Sequence, residues 1–469
     1  MRHLSSLLYL VVAATAHAQA PTITSLGSGA QATGMSGDGT IVVGSSFRWT
    51  AATGVVGIGG AGGSTCISWD GSTIASDAVD PLSGNITAAV WLGGTSWQNL
   101  GGLPGQSPCG NDLSSSYGIS GDGSVIAGLG WITGCSAHAF RWEQGTGMVD
   151  LGSTVAGQSS RANRVAAADP SVIVGWQDTS TRQGARWDNG VQSLFTLGGS
   201  PVGEAGGVTP DGSVVVGMFA GGQEAWRWTA GTGVQKIGVL PGFNFGGMAF
   251  DVTDDGEMVV GACGFGFDRD AFLWTEELGM VKLDDYLADL GLDLTGWDLG
   301  SATAISSDGS VIAGWGQGPA SFIEGWVVQL PAPIGTRYCS PAVANSTGDF
   351  ALIHALGSDL ASDNTMRLMA HRMPLNKFGY FLNGPTQGLI VNPGGSSGNL
   401  CLTGTIGRHS SAVFNTGSLG SGILDVDLSS LPFPGGGHTI VAGETWNWTT
   451  WYRDTGTSNF SDAASVLFH

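Results

Sequence analysis

Seven aspartates recur in one setting. Asp38, Asp122, Asp211, Asp255 and Asp308 stand in GDGTIVVG, GDGSVIAG, PDGSVVVG, DDGEMVVG and SDGSVIAG, and Asp70 and Asp169 stand in the altered forms WDGSTIAS and ADPSVIVG. Carboxylates invite acid–base work on a substrate or coordination of a cation. An active site, however, needs one constellation of unlike groups, and this group is copied seven times. No copy has the D-x-[DN]-x-[DN]-G order of a calcium loop. A simpler role fits. Gly accepts positive φ at no steric cost, Asp accepts backbone N–H groups of its own turn, and Asp-Gly between two β runs signals a hairpin. These aspartates are therefore expected to be structural turn residues. The most acidic copy, DVTDDGE from Asp251, is the one place to look for a metal; neither metal nor cofactor is expected.

The turns must be held by strands. Their spacing runs from 32 residues (Asp38 to Asp70) to 53 (Asp255 to Asp308), around the ~40–50 of a four-stranded propeller blade. Each unit reads alike: a short strand ending near Ser or Thr, the Asp-Gly turn, a run such as SVVVG, an aromatic strand such as HAFRW or EAWRW, and a last strand ending like GMVDLG. The seventh unit reaches Leu330 and Pro331 without its last strand, while a spare one, TITSLG at Thr22–Gly27, precedes the first unit. Pairing the spare strand into the last unit closes a ring and removes exposed edges. The expected fold is all-β: a seven-bladed β-propeller over residues 19–331, then a β-sandwich, jelly-roll-like, over 332–469.

The Arg-Trp pairs Arg48-Trp49, Arg141-Trp142, Arg186-Trp187 and Arg227-Trp228 alternate across their strands. The Trp is expected between blades, the Arg on a backbone carbonyl or a turn carboxylate. A candidate ligand-binding rim lies in or beside the loops between second and third strands: Trp131, Trp176, Phe219, Phe265, Phe267 and Trp315. Aromatics there could stack on sugar rings or meet a protein partner. Cys109 and Cys135 fall in loops on that same face and are expected to bridge. Cys66 and Cys263 fall in different units.

The stretch SAHAFRWEQGTGMVDLG, with the triplet His138-Ala139-Phe140, resembles the extracellular HAF-repeat family. The D-G-S-V-x-x-G turns and the L-P-G at Leu103–Gly105 and Leu240–Gly242 fit that resemblance, which covers roughly residues 26–330. It implies a secreted bacterial propeller-like repeat protein and supplies no catalytic residue.

After Pro331 the grammar changes to short runs of period two, among them FALIHAL, MRLMAHRM, GYFLNG and ETWNWTTWYRD. Seven or more such strands read as a β-sandwich, with Cys339 and Cys401 bridged. Trp446 and Trp448 share a strand face, as a sugar platform or as core. The segment looks like a C-terminal module of secreted bacterial proteins.

Composition narrows the function. Charged residues are 12%, Gly numbers 80 and Trp 17, and the net charge is −20 with 17 basic residues. Nucleic acid needs a basic footprint, so that partner is excluded. The N-terminus, MRHLSSLLYLVVAATAHAQA, reads as a signal peptide over residues 1–18; no other stretch reaches the ~20 apolar residues of a membrane span. A secreted monomer is expected, with the periplasm as the alternative location. Its partner would be an extracellular polysaccharide or a surface protein. A non-catalytic interaction or structural scaffold is the leading reading. A carbohydrate- or matrix-binding lectin-like protein is the first alternative, and a glycoside hydrolase or lyase the second.

Overall fold

The computed structural model describes residues 21–469 apart from 219–223, 267, 332 and 418–419. The signal-peptide reading of residues 1–18 and the candidates Phe219 and Phe267 lie outside the described residues. The described chain forms two compact units, Pro21–Leu330 and Pro331–His469. No described helix is long and apolar enough to cross a membrane.

Among the described residues, seven four-stranded antiparallel groups make most of the first unit, five as separate sheets and two, called sheets 5 and 6 here, joined by one bridge into an eight-stranded sheet. Sheets 1 to 6 span residues 32–57, 62–99, 114–152, 160–194, 205–238 and 248–282. Sheet 7 takes Asp298–Ile305, Val311–Gln317 and Glu324–Gln329, and its fourth strand is the N-terminal Thr22–Ser28. That strand runs antiparallel to Glu324–Gln329, with Thr22 opposite Gln329 and Ser28 opposite Glu324. The first strand of each sheet lies beside those of the sheets before and after it, and sheet 7 returns to sheet 1. The arrangement is a closed, propeller-like cycle.

Each residue of the repeated octapeptide has a physical task here. In sheet 3, Asp122 Oδ1 accepts Ser120 Oγ at 2.8 Å and the Ser124 N–H at 3.0 Å. Asp38, Asp211, Asp255 and Asp308 do the same with the hydroxyl two residues before and the N–H two residues after. The Ser124 N–H and nearby hydroxyls hold Asp122 down at about 2. The turn Gly sits at positive φ, 74° at Gly123 and 72° at Gly212. Sheet 4 has Pro170 instead, and its turn is one residue longer: Ala166 N–H bonds Val172 O where Ser120 N–H bonds Val125 O. The octapeptide's closing Gly makes room for an aromatic ring. A Cβ on Gly128 would strike the Ser115 carbonyl and the Phe140 ring, and one on Gly217 the Glu204 carbonyl and Trp226.

Those rings are the core. Phe140, Trp187, Trp226, Phe272 and Trp326 are fully buried. Phe140 packs with Cys66, Ala75 and Ala88 of sheet 2, and Trp187 with Val125 and Ala127 of sheet 3. The arginines beside them reach the next sheet's turn: Arg186 Nη1 donates to Gly212 O at 2.6 Å, and Arg227 Nε to Gly256 O at 3.1 Å.

The turns are also tied to one another. Asp254 N–H donates to Ser307 O, Ser307 to Gly37, Gly37 to Trp69, Asp70 to Gly121, Gly121 to Ala167, and Ala168 to Pro210, all at 2.8–3.1 Å. Six of the seven seams between sheets are closed in one sense of rotation. The seventh, from sheet 5 to sheet 6, would need an N–H from Pro210, which has none. At that seam a bridge pairs Met218 with Met248 instead.

In the second unit, a six-stranded sheet and the three-stranded sheet of Leu352–Leu356, Arg367–His371 and Gly422–Asp425 contribute to one buried core. Ile353, Leu368, Phe381, Trp448 and Tyr452 meet there. Trp446 and Trp448 are 3% and 0% exposed, so they are core and no sugar platform. Disulfides join Cys109 to Cys135 and Cys339 to Cys401, while Cys66 and Cys263 are free, buried thiols.

Candidate functional site

The first strands carry a feature that the turn motif does not announce. Every one has a break in pairing with its neighbour: at Ala32/Gly34, Gly62/Cys66, Ser116/Gly118, Ala162/Arg164, Ala205/Gly207, Ala249/Asp251 and Ala302/Ala304. A β-bulge leaves one residue unpaired and re-aims its side chain. The displaced residue stands three before the turn Ser or Thr (before Ala166 in sheet 4). It is Thr33, Thr65, Tyr117, Asn163, Gly206, Phe250 and Thr303 in sheets 1 to 7. All seven line a single cavity of ≈ 400 Å³, joined by Ser64, Arg161, Arg164, Glu204 and Met218.

Bulged side chains also stitch sheets together. Thr303 Oγ1 donates to Ala32 O at 2.8 Å, Thr33 Oγ1 to Thr65 O at 2.6 Å, and Asn163 Nδ2 to Ala205 O at 2.7 Å. At the turn end, Trp69 lies against Gly37 and its Nε1 donates to Ser307 Oγ at 2.6 Å.

The charges sit on sheets 4 and 5. Glu204 is ion-paired with Arg161, and Arg182 Nη1 stands 3.5 Å from its other oxygen. Asn163 Nδ2 adds a bond to Glu204 at 2.9 Å, and Arg161 Nε donates to Asn163 Oδ1 at 2.8 Å. Arg161 lies over the Tyr117 ring at 4.3 Å, and Arg182 over Trp176 at 3.7 Å. Arg164 is different. Its Nη1 donates to Tyr117 O at 3.4 Å and Asn163 O at 3.2 Å, and among the described residues no carboxylate pairs with it. Its charge is felt on two other sheets. Burial pushes the Cys66 thiol up to about 12 and raises the Asp251 carboxyl, and Arg164 opposes both.

The sequence candidates lie elsewhere. Trp131, Trp176 and Trp315 are inside second strands, Val125–Ile132, Val172–Asp178 and Val311–Gln317, and none of them lines the cavity. Trp176 is buried behind Arg161, and Trp315 faces Arg269 at 5.3 Å. Phe265 ends its strand, exposed and stacked on Phe245. The strands run longer than the Gly-rich loops suggested, which moves these rings into the sheets. Asp251 is no turn ligand: it lies in a strand, partly buried, and accepts the Ile305 N–H at 3.0 Å. His138 bonds Asp150 at 2.9 Å. Reading down the repeat column three places before the turn hydroxyl would have found the cavity. That column holds Thr, Thr, Tyr, Asn, Gly, Phe and Thr, after a column of Ala and Ser and before one as mixed as itself, Gly34, Cys66, Gly118, Arg164, Gly207, Asp251 and Ala304.

No protein-family model and no curated protein matches the sequence. Solved structures similar to parts of it include TolB from Acinetobacter baumannii, at 13% identity and TM-score 0.35, over 52% of this chain and 60% of that one. The β-propeller domain of the trilobed protease from Pyrococcus furiosus matches at 11% identity and TM-score 0.38, over 64% and 95%. The Niastella koreensis GH74 enzyme matches at 11% and 0.42, over 95% and 74%. These likenesses are too distant to speak to function.

Proposed function

We propose that this chain is a secreted, non-catalytic binding protein of the HAF-like kind: a seven-bladed β-propeller whose central channel holds a small ligand, followed by a β-sandwich. One observation carries the reading. Seven sheets each send one displaced residue to the wall of the same cavity, and together with Arg161, Arg164 and Glu204 they give it hydroxyl, amide, aromatic and charged groups. Thr33, Asn163 and Thr303 also tie neighbouring sheets together, while Tyr117 and Phe250 set aromatic rings at the wall, where a ligand can pack. Glycoside hydrolysis needs two carboxyl groups ~5–10 Å apart, and the cavity offers one, Glu204, already engaged by two arginines. The two disulfides are compatible with an extracellular or periplasmic location. The test is a thermal-shift screen of mono- and disaccharides and small organic acids, run on the protein and on Ser64→Trp, which fills the cavity. Hits lost in the variant support the channel; hits that persist in it place binding elsewhere.

A further inference from the structure

Resting on the channel as the ligand site, we infer that it takes a carboxylate-bearing sugar of the uronic acid type, anchored by Arg164. Three arcs of the wall lead there. Sheets 7, 1 and 2 present hydroxyls, from Thr303, Thr33 and Ser64, while the Thr65 hydroxyl is buried against Ser76 Oγ at 2.9 Å. The protons of Thr303 and Thr33 are committed to the Ala32 and Thr65 carbonyls. What those oxygens keep for a ligand is their lone pairs, so the ligand must bring O–H donors.

Sheets 5 and 6 present Met218 and Phe250, with Gly206 between them adding no side chain. A Cβ on Gly206 would collide with the Ala249 carbonyl, so the space there is a requirement of the fold. This arc suits the C–H face of a sugar ring, which packs on an aromatic while its hydroxyls point away.

Sheet 4 supplies the charge. Arg161 and Glu204 neutralise each other, which leaves the lining with the positive charge of Arg164. Among the described residues its hydrogen bonds leave from Nη1 to carbonyls, and Nε and Nη2 have no acceptor. Two adjacent N–H donors of a guanidinium match the two oxygens of a carboxylate. A half-buried cation with no hydrogen-bonded carboxylate is costly; the Asp251 carboxyl that feels Arg164 is raised by burial and engaged by the Ile305 N–H, and a ligand carboxylate would relieve that cost. In a chain of net charge −20, this positive charge is local to the cavity. A fatty acid lacks the hydroxyls, a neutral sugar the charge, and phosphate the apolar face. The cavity is at the low end of the ~300–1,000 Å³ usual for ligand pockets, which suits one or two sugar rings.

Calorimetric titration of the full chain with galacturonate, methyl galacturonate and galactose tests this. Galacturonate is expected to bind at least about tenfold more tightly than either neutral compound, with affinity falling as salt rises. Arg164→Gln is expected to bring the three together. Arg164 also holds two carbonyls, so the comparison of acid with ester on the unaltered protein tests the charge without disturbing the fold. Equal binding of all three by the unaltered protein, abolished by Ser64→Trp, overturns carboxylate recognition and leaves the channel reading standing. Acetate or inorganic phosphate binding as tightly as galacturonate overturns the sugar assignment. Binding by none of these probes overturns the uronate assignment, and the disaccharide and organic-acid screen then decides the channel by itself.

Discussion

Asp77 is a carboxyl group held where ionisation is costly. It lies on the second strand of sheet 2, 6% exposed, and its Oδ1 accepts the Ser116 N–H of sheet 3 at 3.0 Å. Burial raises it from 3.8 to about 7, against the pull of that N–H. The folded value exceeds the unfolded one, so the native state keeps the proton longer. The stability linked to Asp77 is complete below pH 3.8, declines as pH rises, and is lost above about 7. At ~1.36 kcal/mol per pKa unit the full effect is about 4 kcal/mol, and the part between pH 5 and 8 is about 2–3 kcal/mol. Asp77→Asn keeps the shape and the acceptor for Ser116 but has no charge to expose. Calorimetric melting at pH 5, 6, 7 and 8 reads the difference. The variant should gain on the parent as pH rises, by roughly 4 °C between pH 5 and 8 for a unit of this size. A difference that stays flat, or a variant that melts lower at pH 8, refutes the assignment of a buried, readily protonated carboxyl.

Trp326→Ala empties a fully buried site in sheet 7 and should cost ~3–5 kcal/mol in chemical denaturation. Replacing Cys109 and Cys135 by Ser opens a bridge with a sequence separation of 26 and should lower stability by ~2–4 kcal/mol, measured the same way. Removing residues 22–28 strips the partner from Glu324–Gln329, and the bare edge should drive self-association, seen as earlier elution and light-scattering mass.

Much of the architecture is local chemistry and could be read from the chain. Asp-Gly turns, SVVVG runs and aromatic strands each obey rules spanning a few residues, and the unmatched strand at Thr22 belongs to the same counting. The channel was hidden because a bulge has no signature of its own. Tyr117 and Phe250 differ in kind from Thr33; counting back from the turn hydroxyl puts them in one column, and pairing across a sheet shows that the column is a bulge. The placement of Trp131, Trp176 and Trp315 in strands was hidden for a related reason. Trp176 sits among Gly and polar residues that read as loop, yet it pairs with Arg161 and Gly184 on the flanking strands, and Arg161 and Arg182 lie over its ring. Exposure of a tryptophan is a property of its neighbours in space.

The missing N–H at Pro210 gives the ring a place to begin. A circle of like units has no terminus to fray from, so the order in which it comes apart is left to small inequalities. Two are built in. One is the junction that joins the two ends of the chain, Thr22–Ser28 against Glu324–Gln329. The other is the junction after sheet 5, where the turn bond is absent and a Met218–Met248 bridge takes over. Opened at both, the unit would part into two arcs, sheets 1 to 5 and sheets 6 and 7. Amide exchange at the turn peptides would then be fastest beside Pro210, and a protein built of near-identical parts would still unfold along a fixed itinerary.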